Sequence, residues 1–532
     1  MNDQEFLSGI ARIYRAAHAS EDGERCMVAP HPDLRARIKT AIASLAASGG
    51  LPQALSLQAA EPRALGLNDG VIIPPEEFAA GTSPSIIRSA AARAAGPLRG
   101  TVRVIVVLVD FPDKPMTQTR QHFQDLFFAK GKPQKSVREY YLDATHNLID
   151  LQGDVVGPLR LPKTIKAYAN GASGMSPTTT PNAQNMALDA VIAADPTVNF
   201  TPFDNDGNGF VDAFIVIHAG PGAEVTGSHD DIWSHKWVLA GGARAVDQTK
   251  IFAYLTVPED CKIGVCAHEL GHLLFGFPDL YDTDSTSEGI GNWCLMAAGS
   301  WGGGGDVPVH PSAWCKANQK WVTVKTVTAN GPVTLADVKT APQTVLRLWK
   351  NGTGGNEYFL IENRQRTGFD ASLPGGGLLI WHIDDAQQTN RDENHYKVAL
   401  MQADGRRDME HGTNRGDAGD AYPGTSNNHT FNATSNPNSK SYANADSCVA
   451  VTSIGASGAA MTMQLQVRCA AGHPAPSAAA AQVTAAAAYA APGAARAQAS
   501  AKRKPKAKAK AAKRSKARSA KAAKRSGRKA RR

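Results

Sequence analysis

Apolar residues recur in different patterns along this chain, and each pattern marks a region. Up to about residue 98 the chain is Ala-rich and reads as helix with loops. Leu34 to Leu45 has the spacing of a short amphipathic helix, and Pro30, Pro32 and the Gly49-Gly50 pair punctuate the segment. A β-branched run from Val102 to Phe111, bounded by Gly100 and Pro112, predicts a buried strand that opens a new region. The spacing then predicts a helix over Ser136 to Ala144, a strand over Ile149 to Val156 and a helix over Asn182 to Ala194. Strands follow over Ala213 to His218 and Ile251 to Val257. A further helix runs from about Cys261 to about Phe275, with Pro258, Glu259 and Asp260 as its start signal. From Val333 to about Val467 the pattern becomes all-β. Val345 to Trp349, Tyr358 to Glu362, Leu378 to Ile383, Lys397 to Gln402 and Met461 to Val467 are strand candidates. The Gly/Asn/Asp-rich loops between them suit a β-sandwich-like accessory domain.

From about Ala470 the composition shifts to Ala, Pro and Ser, then to Ala, Lys and Arg. Such a segment cannot bury enough apolar surface to fold, so it reads as a disordered tail. The fold class is therefore α+β, divided as 1–98, 99–330, 331–469 and 470–532. Charge sharpens this division. The whole chain carries +9, yet Lys502 to Arg532 alone holds seventeen Lys or Arg and no acid, so the folded body is net acidic. A tail this basic binds DNA, RNA or an anionic surface through counterion release, or simply stays solvated. No aromatic residue follows Tyr489, so base stacking is not indicated.

The seven cysteines are Cys26, Cys261, Cys266, Cys294, Cys315, Cys448 and Cys469. None form a CxxC pair, which argues against a four-thiolate zinc site. Cys448 and Cys469 flank a strand-rich stretch and could bridge. Met1 to Ser20 carries charges throughout and does not read as a signal peptide, and no apolar run is long enough for a transmembrane helix. On these grounds the protein is cytoplasmic, or its export uses a route the sequence does not display.

The chemistry centres on His268-Glu269-Leu270-Gly271-His272. Positions i and i+4 of a helix share a face, so His268 and His272 can offer two imidazoles to one zinc ion, with Glu269 beside them as general base. A third protein ligand and one open position would make such a site catalytic. Upstream, Asp204, Asp206, Asn208 and Asp212 have the spacing of calcium ligands in an EF-hand loop, with Gly209 at its turn, although Ile215 stands where the bidentate Glu would be. A calcium loop of lower denticity and an ion-free turn are the two readings. Asn414 to Asp420 is a second, weaker oxygen cluster that reads as a solvated turn. Cys26 reads as an ordinary buried cysteine or as a thiolate that caps zinc in a latent form. His218, His229 and His235 surround Trp233 and Trp237 in sequence and read as packing residues or as residues near the cleft.

The flanks of the motif resemble the M6 family of metalloproteases, the immune inhibitor A-like group. The resemblance rests on Pro278-Asp279-Leu280-Tyr281-Asp282, Ser287 to Trp293, and Leu295-Met296-Ala297-Ala298-Gly299-Ser300-Trp301. Val109-Asp110-Phe111, Ser136 to Tyr141, Ile217 to Gly220, Glu357 to Arg364 and Gly377 to Asp384 extend it over roughly residues 99 to 467. It implies a zinc endopeptidase with a metzincin-like catalytic domain, often calcium-stabilised and usually secreted, acting on protein or peptide substrates. It assigns His268 and His272 as zinc ligands, Glu269 as base and Met296 as the Met-turn beneath the metal. In the family form, HExxHxxGxxD, a carboxylate is the third ligand. Here Phe275 is one extra residue, so Gly276 and Asp279 fall one place late; a helix running one residue further would absorb it. Asp279 is the first choice for third ligand and Glu288 the alternative, with Asp282 and Asp284 as calcium ligands or turn caps. The family analogy also suggests that an extended peptide adds to a strand such as Phe214 to His218. A competing reading keeps the protease fold as the scaffold of a binding protein. By the resemblance residues 1–98 read as a pro-region, 99–330 as the catalytic domain and 331–469 as the accessory domain.

Overall fold

The computed structural model describes residues 2–17, 26–47 and 97–469. The basic tail, with its expected disorder and its binding to nucleic acid or an anionic surface, lies outside the described residues. So does more than half of the N-terminal region. Among the described residues no helix is long and apolar enough to cross a membrane.

A six-stranded sheet carries the central region. Its strands are β1 (Cys26–Met27), β2 (Gly100–Asp110), β3 (Ile149–Arg160), β4 (Phe214–His218), β5 (His235–Val238) and, after a small hairpin of β6 (Arg244–Val246) and β7 (Thr249–Ile251), β8 (Ala253–Pro258). Their order across the sheet is β1-β5-β8-β4-β2-β3. The strands from β8 to β3 are parallel, and β5 and β1 close the other end antiparallel. The helices used below are α1 (Asp3–Ala17), α2 (Pro32–Ala47), α3 (Val137–Ala144), α4 (Ala183–Ala194), α5 (Ile263–Phe275) and α6 (Ala313–Asn318). The expected helices and strands fall within a few residues of these bounds, and Ser136 and Asn182 prove to be the side-chain caps of α3 and α4. The single strand expected over Ile251 to Val257 is two. Thr249–Ile251 pairs with Arg244–Val246, and the Phe252 carbonyl accepts from Leu239 N–H, so the chain changes partners there.

Alternation along β2 explains why both faces of the sheet are covered. Val104, Val106 and Leu108 enter one core, while Ile105, Val107 and Val109 enter the other. On the first side lie α3, α5 and the apolar residues of α1 and α2; on the second lie Met186, Ala187, Ala190 and Val191 of α4. Each fully buried Val, Ile, Leu or Met among them contributes roughly 1.5–3 kcal/mol relative to exposure.

Beyond residue 320 the strands are β9 (Thr323–Thr326), β10 (Gly331–Ala336), β11 (Thr344–Leu348), β12 (Glu357–Arg364), β13 (Gly377–Asp384), β14 (Val398–Leu400), β15 (Ala450–Thr452) and β16 (Ala460–Gln466). They form a five-stranded sheet, β14-β13-β12-β11-β9, and a three-stranded sheet, β10-β16-β15. β9, β10 and β15 were not expected: they are short, and β9 is exposed throughout. The Cys448–Cys469 disulfide ties the end of this region. On β13, Leu378 and Ile380 face the three-stranded sheet, whereas Leu379, Trp381 and Ile383 join the same core as α5. The five-stranded sheet is thus a middle layer between the small sheet and the helix that bears the histidines.

Candidate metal centre

Helix α5 is buried on every face, the signature of a core helix. It starts two residues later than expected. Pro258 ends β8, and Cys261 N–H returns to the Pro258 carbonyl at 3.1 Å, so Pro258, Glu259 and Asp260 close a strand and do not open a helix. The helix ends at Phe275. Gly276 follows in the left-handed conformation, at φ 64°, which glycine adopts without steric cost, and its N–H meets the carbonyls of Gly271 and His272. The extra residue at Phe275 is absorbed this way: the turn at Gly276 brings Asp279 back over the helix.

The side chains that result form one constellation. His268 donates Nδ1–H to Leu295 O at 3.0 Å, and His272 donates Nδ1–H to Phe277 O. Those bonds select the tautomer and leave each Nε2 with its lone pair. The two Nε2 atoms lie 3.0 Å apart. Asp279 Oδ1 lies 3.1 Å from the first and 3.2 Å from the second. Burial lowers the His272 pKa, which keeps that ring neutral. Three acceptor atoms so close repel one another unless a cation shares them. Their separations approach the roughly 3.3 Å expected between neighbours bonded at about 2.0–2.1 Å to a tetrahedral zinc. The donor set therefore fits zinc.

Glu269 is fully buried, and neither of its carboxylate oxygens has a hydrogen-bond partner. Burial, reinforced by the Asp279 charge, pushes its pKa well above the ordinary carboxylate value. Met296 lies directly under the helix: a Cβ at Gly271 would come within 2.7 Å of its Sδ, so only glycine fits between the two histidines' turns. The same segment is fixed from both ends. Leu280 N–H donates to Met296 O at 2.7 Å, and Arg364 of β12 donates to Trp293 O at 2.8 Å.

The other expected site residues lie apart. Glu288 is drawn away from the histidines by Arg35 at 3.5 Å, Arg415 at 3.2 Å and Lys39. Asp282 caps a turn, accepting from Ser287 N at 2.7 Å and from Thr286 Oγ1 at 2.9 Å. Asp284 meets Arg391 at 3.1 Å. Carboxylate oxygens of Asp204, Asp206 and Asp212 lie within 4.8 Å of one another. Burial, followed by the neighbouring Asp206 and Asp204 charges, pushes Asp212 up to about 7. Asn208 donates its amide to Asp206 at 3.0 Å. In the second oxygen-rich loop Asp417 and Asp420 gather with Asp404, which lies outside the Asn414 to Asp420 stretch. His218 and His235 are buried; His235 bonds Trp233 O and Tyr254.

Two features escaped the sequence. Backbone carbonyls of Leu295 and Phe277 orient the histidines, and a carbonyl leaves no trace in residue type. The strand expected to accept a peptide, Phe214 to His218, is the interior strand β4, paired on both sides by β2 and β8. Its backbone is already used, and the end strands of the sheet are β3 and β1, the latter paired with β5.

With this geometry in place, comparison with known proteins is decisive. Residues 92–328 match the model of the immune inhibitor A peptidase M6 catalytic domain. The chain carries an M6 metallopeptidase domain. Among curated proteins, the pre-pro-metalloprotease PrtV of Vibrio cholerae is 31% identical over 272 residues, a match covering 41% of this chain and 29% of that protein. Immune inhibitor A of Bacillus thuringiensis is 29% identical over 252 residues, covering 38% of this chain and 36% of the relative. The chain thus spans about a third of the length of these relatives. The M6 match contains His268, His272, Asp279 and Met296 as well as the separate Asp204 cluster, whereas β12, whose Arg364 binds Trp293 O, lies beyond it.

Proposed function

We propose that the M6 domain is a zinc-dependent endopeptidase in which His268, His272 and Asp279 hold the metal and Glu269 is the general base. The observation that carries this reading is the pair of lone-pair-bearing Nε2 atoms 3.0 Å apart, with Asp279 Oδ1 alongside. Zinc, when bound, supplies a Lewis acid that acidifies water and polarises a peptide carbonyl. Glu269, next to His268 in the chain and without a partner, can take the proton from the attacking water. The same carboxyl group can then deliver that proton to the leaving amide nitrogen. Met296 packs against Gly271, on the helical turn between the two histidines. In this reading residues 99–330 are the catalytic domain and 331–469 an accessory region that braces it. The test is cleavage of casein by the purified chain, with and without EDTA, beside Glu269→Gln. Cleavage that EDTA stops and the variant lacks is expected. A Glu269→Gln protein as active as wild type would overturn the role of Glu269.

We infer also that the Asp204, Asp206 and Asp212 carboxylates hold calcium. Three acids crowd into so small a space, one of them 2% exposed, and burial together with the neighbouring carboxylates raises the pKa values of Asp206 and Asp212, a penalty that a cation would relieve. At a hundredfold excess over Kd, such an ion stabilises by about 2.7 kcal/mol. The Tm should rise with calcium in wild type and not in Asp212→Asn; an equal rise in both would reject the site.

A further inference from the structure

We propose that Cys26 is the fourth ligand of the metal and that the segment from Cys26 to His31 lies where a protein substrate's strand would lie. This rests on the zinc reading above and deepens it. The Cys26 thiol, the His272 ring and the Asp279 carboxylate each place a ligand atom within 4.8 Å of the other two. Cys26 is buried and is not disulfide-bonded. A thiolate completes a tetrahedral zinc site well, and in doing so fills the position that a water must occupy for hydrolysis.

A cysteine near a metal centre can be an accident of packing. The backbone that follows argues for more. Cys26 and Met27 pair antiparallel with Lys236 and His235 of β5, so β1 adds a strand to the sheet edge beside the metal. The next residues are held by their backbone polar groups, as an extended peptide in a cleft would be. Tyr281 donates to Met27 O at 2.8 Å, Trp233 to Val28 O at 2.9 Å and Trp301 to Ala29 O at 2.9 Å. Val28 N–H donates to Ser234 O at 3.2 Å. Val28 lies beside the Glu269 carboxylate, which seals the base from solvent. Three side chains of the M6 domain thus bind main chain rather than a particular side chain, which is how a protease receives varied sequences.

The segment is fastened on both flanks. Helix α1 buries Phe6, Ile10, Ile13 and Tyr14 in the main core, and Tyr14 meets Trp233 edge-on at 6.0 Å. Helix α2 is tied by Arg35 to the Ser285 and Ser287 carbonyls, at 2.9 and 3.2 Å, and by Arg35 and Lys39 to Glu288. Glu288, the alternative third ligand, instead clasps the helix that follows the blocking strand. The chain described here is accordingly a latent form: substrate gains β5 and the metal only when residues 26 to 31 leave.

The test is the absorption spectrum of the full chain with cobalt(II) in place of zinc. A thiolate-to-cobalt charge-transfer band in the near ultraviolet is expected, alongside the visible bands of tetrahedral cobalt. In Cys26→Ser the charge-transfer band should vanish while the visible bands persist. The same variant should cleave casein at least about tenfold faster than wild type, because more of its population is open. Visible bands without any charge-transfer band in wild type would overturn the proposal and leave the zinc reading standing. Failure to bind cobalt at all would instead overturn the zinc reading. Should Cys26→Ser not fold, the wild-type band alone decides.

Discussion

Glu269 is the residue whose role is most exposed to test. It differs from the proposed ligands in its surroundings: its carboxylate is fully buried, with the Val28 backbone beside it and no side-chain hydrogen bond. Glu269→Gln keeps the volume and should leave metal binding and Tm unchanged. It should lower casein turnover by about 10²- to 10⁴-fold, the usual contribution of a general base. A variant that lost zinc together with activity would show that Glu269 binds or orients the metal instead. At this scale much of the centre was readable in advance. His268, Glu269 and His272 announce themselves because helical spacing converts i and i+4 into one face. Asp279 was harder, since its place depends on how Gly276 turns the chain after Phe275. What could not be read were the Leu295 and Phe277 carbonyls, which any residue would provide, and the company of Glu288, whose partners Arg35 and Arg415 lie far away in sequence.

Among the elements, β12 has the widest reach. Its Glu362 takes a buried ion pair with Lys316 of α6 at 2.6 Å, and its Arg364 pairs with Asp370 while donating to Trp293 O. All of these charges are fully buried. Burial alone would raise the Asp370 carboxyl; the Arg364 and His310 charges outweigh it and hold the group far below its ordinary range. A carboxylate with a depressed pKa contributes stability that is present above its unfolded value, about pH 3.9, and is lost as pH falls below that. Asp370→Asn should destabilise by about 3–5 kcal/mol, since it takes from the buried Arg364 the carboxylate it hydrogen-bonds and leaves only the more distant Glu362. Denaturant unfolding measures this; a loss under about 1 kcal/mol would mean that Trp293 O and His310 O alone satisfy the guanidinium. Alternation made β12 and β13 legible as strands. It could not say what covered each face, so the link from the five-stranded sheet to the Met296 segment had to be seen.

Across the whole molecule, one apolar core runs from Phe6 in α1, through α5, to Trp381 and Leu400 in the five-stranded sheet. The sequence separates residues 99–330 from 331–469 by pattern, and the family match stops at residue 328, yet the packing crosses that border. A fragment ending at residue 328 would expose the α5 side of this core where Leu360, Leu379 and Trp381 now lie. It should be insoluble or melt without cooperativity in calorimetry, whereas the full chain should not; a fragment with a sharp, reversible transition would contradict the shared core. Charge tells the other whole-chain lesson. The +9 belongs to the tail, so the body that holds the candidate metal centre is acidic, a division visible from composition alone.

The central claim is the three-residue metal site, and zinc affinity of Asp279→Ala beside Glu288→Ala tests it most directly. Wild type and Glu288→Ala should each hold one zinc per chain, because Glu288 is engaged with Arg35, Lys39 and Arg415. Asp279→Ala should bind it at least about tenfold to a hundredfold more weakly, even the loss of a supporting partner costing that much. Zinc retained in Asp279→Ala and lost in Glu288→Ala would contradict the account.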